Sequence, residues 1–228
     1  MVATDRTLLR LHIEAVWGVR LPVLVRNDVE LLQESTQPTW KLCAADIADG
    51  RIHIWQPDVS AVEGKLLRQR VDDALAFPPV VAPLAGVRRE FALTLVATPR
   101  LDVDMAHTIA RPLTSQDQSL IEAFHPDAFG DYLHPERQPL IGVVISGRLL
   151  SVAHSSRRTH EACELGIDTI PEARRKGYAL AATIVWAHTV LRAGLIPIYS
   201  ALAENTASLR LAAAAGYRPF ARVATFEG

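Results

Sequence analysis

Two periodicities alternate along the chain, one of two residues and one near 3.6. Leu9, Leu11, Ile13 and Ala15 alternate with Arg10, His12 and Glu14, and Ile52 and Ile54 alternate with Arg51, His53 and Trp55. Both stretches predict half-buried strands. Residues 19–26 predict a weaker third strand, which Pro22 moves toward an edge. Val62, Leu66, Leu67, Val71, Ala74 and Leu75 share a helical face, and the prolines at 78 and 79 are expected to end that helix. Residues 91–97 predict another strand before Pro99.

Beyond about Ala110 the elements shorten and the turn signals sharpen, so the main domain boundary is placed near residue 105. A short helix is expected over 115–124. Residues 139–145, the turn Ser146-Gly147 and residues 148–155 predict a β-hairpin. A strand over 162–170 closes at Pro171, and an alanine-rich helix over 177–193 has Gly194 for its C-terminal cap. A strand over 196–202, a helix over 205–215 followed by Gly216, and a strand over 217–226 complete the chain. The pattern is mixed α and β, without internal repeats.

Composition narrows the function classes. With 24 basic and 25 acidic residues in 228, and a net charge of −1, the chain lacks the broad field that non-specific nucleic-acid or anionic-membrane binding requires. Any anion must be held locally. Cys43 and Cys163 are too far apart in sequence for a CxxC metal pair or a disulfide framework, and the eight histidines show no HExxH spacing, so no metal is expected. Asp5, Arg6, Arg10 and Glu14 interrupt the apolar run a secretory leader would need, which makes the cytoplasm the expected location. The longest apolar stretch, residues 178–191, is short for a membrane span.

One segment carries chemistry. Arg174, Arg175 and Lys176 stand where a helix begins, although the N-terminal end of a helix dipole disfavours positive charge. A bound anion would resolve the conflict, with Gly177 letting the backbone approach it and first-turn N–H groups donating to phosphate oxygens. A solvated basic turn accounts for the same residues. Neither a Walker lysine pattern nor GxGxxG occurs.

The run Arg174-Arg-Lys-Gly177-Tyr-Ala179 resembles the (Arg/Gln)-x-x-Gly-x-(Gly/Ala) pyrophosphate loop of the GNAT superfamily of N-acyltransferases. Residues 165–171 before it resemble that family's fourth strand. Asn205-Thr-Ala-Ser208 with Gly216-Tyr217 resembles its Asn-x-x-(Ala/Ser) helix and following Gly-(Phe/Tyr), and residues 111–117 its opening strand and helix. The resemblance covers about residues 106–228. It implies an α+β acyltransferase core, a mixed, mainly antiparallel sheet with splayed central strands and flanking helices. Residues 1–105 would then be an added α+β module, shaping the acceptor pocket or an oligomer interface such as that of a homodimer.

The resemblance further implies acetyl-CoA as acyl donor. Ile167, Asp168 and Thr169 would meet its pantetheine arm through main-chain groups, Arg174, Arg175, Lys176, Gly177, Tyr178 and Ala179 its pyrophosphate, and Asn205 and Ser208 its thioester end. Helix capping is an equal and compatible reading of Asn205. The reaction implied is acetylation of a primary amine, on a small molecule or a peptide, by direct attack. A free lysine-like amine has a pKa of about 10.4 and must lose a proton. Glu164 and Glu161 are the candidate bases by likeness to relatives with a fourth-strand glutamate, with His154 and His160 behind them. Many members carry a tyrosine seven residues after the asparagine, positioned as an acid; here that residue is Ala212. A non-catalytic acyl-CoA-binding or regulatory module is the alternative.

Overall fold

A computed structural model describes residues 3–76 and 84–227, apart from the side chains of residues 128 and 129. The elements in order are α1 (Asp5–Trp17), β1 (Asp28–Glu30), β2 (Trp40–Ile47), β3 (Gly50–Trp55), α2 (Ala61–Ala74), β4 (Val87–Leu95), α3 (Val103–Ile109), β5 (Arg111–Pro112), α4 (Gln118–Phe124), α5 (Phe129–Tyr132), β6 (Ile141–Ile145), β7 (Arg148–Arg158), β8 (Ala162–Thr169), α6 (Tyr178–Arg192), β9 (Ile196–Leu202), α7 (Thr206–Ala214) and β10 (Tyr217–Glu227). They form two compact units that interleave along the sequence. One comprises Met1–Thr94, Ser200–Ser208 and Pro219–Gly228, the other Leu95–Tyr199 and Leu209–Arg218.

In the first unit the strands run β1-β3-β2-β10-β4. β2 pairs antiparallel with both β3 and β10, and it is buried on both faces. Cys43 and Ala45 pack with Leu9 and Ile13 of α1, while Leu42 and Ala44 pack with Leu67 and Val71 of α2. Residues 9–15, expected as a strand, are helical. Thr4 caps the helix by accepting from Thr7 N, Gly18 ends it in the left-handed region at φ 65°, and Arg10 reaches Glu14 at 2.8 Å, the i,i+4 spacing of a helix. His12 explains why alternation misled. It is fully buried, with Nε2 3.1 Å from the Glu90 carboxylate, so the middle of the supposed strand's polar face is core. Residues 19–26 form no strand. α2 ends at Ala74, with its last cap at Leu75; the prolines at 78 and 79 lie outside the described residues.

In the second unit the order is β9-β8-β7-β6-β5, antiparallel except for β8 with β9. The β6–β7 hairpin turns through Ser146 and Gly147, both at positive φ (49° and 72°), as a two-residue type I′ connection requires. One sheet face carries Leu113, Ile121, Tyr132, Leu140, Leu149 and Val152. The other receives α6, whose Trp186 indole reaches Ser155 Oγ at 3.4 Å. The expected helix over 115–124 begins as a 3₁₀ turn, where Thr114 and Asp117 form a capping box. α3, which patterning did not indicate, spans the position where a linear domain boundary was placed.

Gly216 is a tight point in this unit. Its φ is +95°, and an added Cβ would stand 2.2 Å from the carbonyl oxygen of Ala97. Val96 and Ala97 both donate backbone N–H to Gly216 O, at 3.2 and 3.0 Å, which holds the two segments together. Gly216→Ala is expected to cost roughly 2–3 kcal/mol, lowering the thermal midpoint by about 5–10 °C. An unchanged midpoint in scanning calorimetry would refute the close approach. Among the described residues no helix is long and apolar enough to cross a membrane.

Candidate functional site

The second half of β8 is open. Its ladder with β9 pairs Ala162 with Ile196, Cys163 with Pro197 and Glu164 with Ile198, then stops, while β8 continues to Thr169. Burial changes at the same place. Residues 162–165 are buried, and from Gly166 onward the strand is half-buried or exposed. On its other side β8 stays paired with β7 as far as Thr169. The main-chain groups of Ile167 and Thr169 therefore face away from β7 with no β9 ladder to receive them, although the Thr169 carbonyl accepts from Arg174 Nε at 3.5 Å.

This open edge runs directly into a turn. Pro171 ends the strand and starts a single 3₁₀ turn; Arg175 and Gly177 both adopt positive φ, 61° and 83°. For arginine that conformation is strained by about 1–2 kcal/mol. Gly177 is the N-cap of α6, a 15-residue helix with no side-chain cap. First-turn N–H groups are thus left for an external acceptor. Arg174, Arg175 and Lys176 are exposed, while Tyr178 and Ala179 are half-buried in the first turn. A Cβ added at Gly177 would meet nothing within 4 Å among the described residues. Cations, bare N–H groups and open space coincide, as an anionic donor needs.

The acid–base candidates are distributed unevenly. Glu164 lies at the last rung of the β8–β9 ladder, with its side chain only 6% exposed. Its Oε2 accepts from Arg157 at 3.0 Å and from Ser156 Oγ at 3.1 Å. Glu161 precedes β8, at the paired end of the strand, beside His160 at 3.4 Å. His154 lies on β7 opposite Gly166. Sequence reasoning kept it behind the glutamates, because nothing in the chain's local pattern reveals that its cross-strand neighbour is a glycine.

Asn205 and Ser208 belong to the first unit. Asn205 Oδ1 accepts from Ser208 N at 3.0 Å, the capping arrangement for α7. Ala212 is fully buried. Two tyrosines are poor acids here. Burial, and then the neighbouring Asp168 carboxylate, push the Tyr132 phenol well up. Burial does the same to Tyr217, whose ring lies 5.3 Å from Tyr199. Burial also raises the Cys163 thiol, against the opposing effects of Ser155 and Arg158, and the Cys43 thiol. Among the described residues no group of three or more His, Cys, Asp or Glu is arranged to hold a metal ion.

The sequence model described as GNAT acetyltransferase matches residues 107–223, just over half of the chain. Similar solved structures include an acetyltransferase of the GNAT family from Colwellia psychrerythraea, 17% identical with a TM-score of 0.52, covering 77% of this chain and 75% of that one. A GCN5-related N-acetyltransferase from Sphaerobacter thermophilus is 20% identical with a TM-score of 0.50, covering 73% and 57%. At these identities the likeness is one of fold: a mixed, mainly antiparallel sheet flanked by helices. No curated protein matches the chain. Family membership rests on the sequence match, whose limits enclose β8, the turn after it and α6, and on that basis the chain belongs to the GNAT acetyltransferase family.

Proposed function

We propose that this chain is an N-acetyltransferase that uses acetyl-CoA to acetylate a primary amine. The observation that carries this reading is the open half of β8 leading, through the turn at residues 170–177, into the uncapped N-terminus of α6. Main-chain groups of Ile167 and Thr169 would hold the pantetheine arm, and residues 174–179 the pyrophosphate; the main chain of Asp168, expected to share in this, faces β7 instead, where its carbonyl accepts from Ser151 Oγ at 3.0 Å. Asn205 and Ser208 remain proposed neighbours of the thioester end by family likeness. When bound, acetyl-CoA supplies an activated acyl carbon.

The chain's own task is to orient the amine and take its proton. Glu164 is the proposed base, acting directly or through one water, with Glu161 second. Direct attack is preferred to an acyl-enzyme because the raised thiol of Cys163 leaves little thiolate to act as nucleophile. No strong acid is required, since a thiolate, with a free-thiol pKa of about 8.5, already leaves readily. The protein is read as acting in the cytoplasm, on a small-molecule or peptide amine. Ala212 in place of an acid favours one second reading, a module that binds acyl-CoA without turning it over.

Thiol release from acetyl-CoA, measured with a panel of amines beside a direct binding measurement, separates the two. The expected result is binding together with amine-dependent release. Binding with no release from any amine selects the second reading, and absence of binding removes both.

A further inference from the structure

Glu164, Gly166 and Asp168 alternate onto one face of β8. Gly166 carries no Cβ; one placed there would stand 2.4 Å from His154 Cε1 and 2.5 Å from its Nε2. The imidazole therefore lies across the glycine, which brings Nε2 to 3.6 Å from Asp168 Oδ2. Tyr132 closes on both. Its ring meets the imidazole edge-on at 5.0 Å, and its hydroxyl donates to the same Oδ2 at 2.9 Å. His154 Nδ1 is buried without a hydrogen-bond partner among the described residues, so the ring's polar contact is the one at Nε2.

One oxygen of Asp168 is thus held by the Tyr132 hydroxyl, with the imidazole close beside it. The side chain is nevertheless 52% exposed, and Oδ1 has no hydrogen-bond partner among the described residues. His154, and after it the Tyr132 hydroxyl, hold this carboxyl below the usual range against the effect of burial. Such a group keeps its charge and accepts a proton poorly, so it is suited to holding a cation rather than deprotonating one. Its distance from Glu164 matters as much. Four residues of strand span about 13 Å, so two carboxylates on one face are separated by the length of an extended aliphatic chain.

We propose that Asp168, held by Tyr132 and His154, is a subsite for a second positive charge on the acceptor, on the order of 10 Å from the amine that reacts. The acceptor class is then an aliphatic diamine or polyamine. The identity of the reacting amine rests on the acetyltransferase reading; the cation subsite itself does not.

The test is titration calorimetry of the CoA-loaded protein with spermidine, whose terminal nitrogens span about that distance, and with octylamine as the singly charged control. Spermidine is expected to bind at least about tenfold tighter. Asp168→Asn should bring the ratio close to one, and Tyr132→Phe, which keeps the ring, should lower it part of the way. A ratio near one in the natural protein, or one unchanged by Asp168→Asn, overturns the subsite. Thiol release is read separately: the expected ratio without release from any amine supports the subsite and overturns the acetyltransferase reading.

Discussion

Replacing Gly177 with aspartate is expected to weaken acetyl-CoA binding by at least about 100-fold while leaving the chain folded. The backbone there is left-handed, at φ 83°, and a Cβ would point into open space. Aspartate and asparagine are the side chains that best tolerate this region, so the conformational cost is small. A carboxylate at the N-terminus of α6 also suits the helix dipole. The same carboxylate would stand where the pyrophosphate is proposed to sit. Two like charges about 4 Å apart repel by up to about 4 kcal/mol near a protein surface, and solvent at an exposed turn reduces this to the stated loss. Gly177→Ala separates charge from shape, because it carries the backbone strain without the negative charge; its loss should stay within about tenfold. Retained affinity in the aspartate variant, measured by calorimetry alongside an unchanged thermal midpoint, would put the pyrophosphate elsewhere.

That turn was legible in sequence because its signals are local. Three cations, a glycine and an alanine-rich run follow one another within a strand–helix junction, and the structure forms β8, the turn and α6 in that order. The N-terminal region was harder to read, and α1 shows why. Leu8, Leu9, Leu11, His12, Ile13, Ala15 and Val16 are all buried, which leaves only a narrow face at Thr7, Arg10, Glu14 and Trp17 to carry the period of 3.6, and a chance alternation over residues 9–15 looks like a strand. The signals that would have corrected it were the Thr4 cap, Gly18 and the Arg10–Glu14 spacing. β2 failed differently. A strand buried on both faces has no alternation to detect. The interleaved units could not be expressed by any single boundary, since Ser200–Ser208 and Pro219–Gly228 return to the unit that holds α1. Asp168 was read through its main chain alone, because the contacts of its side chain depend on Gly166 leaving room for His154, a relation across strands.

Glu164→Gln is expected to lower kcat by about 100- to 1000-fold with acetyl-CoA affinity changed less than about threefold. The amide keeps the shape of the side chain and can still accept from Arg157 and Ser156, which now converge on Oε2 at 3.0 and 3.1 Å. Arg157 has a side chain 55% exposed, so losing its charged partner leaves it solvated and the fold intact. What the variant removes is the proposed base, the carboxylate near the end of the β8–β9 ladder. Its remaining turnover should come only from amine that is already neutral in solution. Below the amine pKa that fraction rises tenfold per pH unit, so the residual rate should rise in proportion to hydroxide concentration. A kcat within threefold of the natural protein, or a large loss in Glu161→Gln with none in Glu164→Gln, would transfer the role. The slope against pH makes the test more than a loss of activity, because a variant damaged only in packing would keep the pH profile of the natural protein at a lower amplitude.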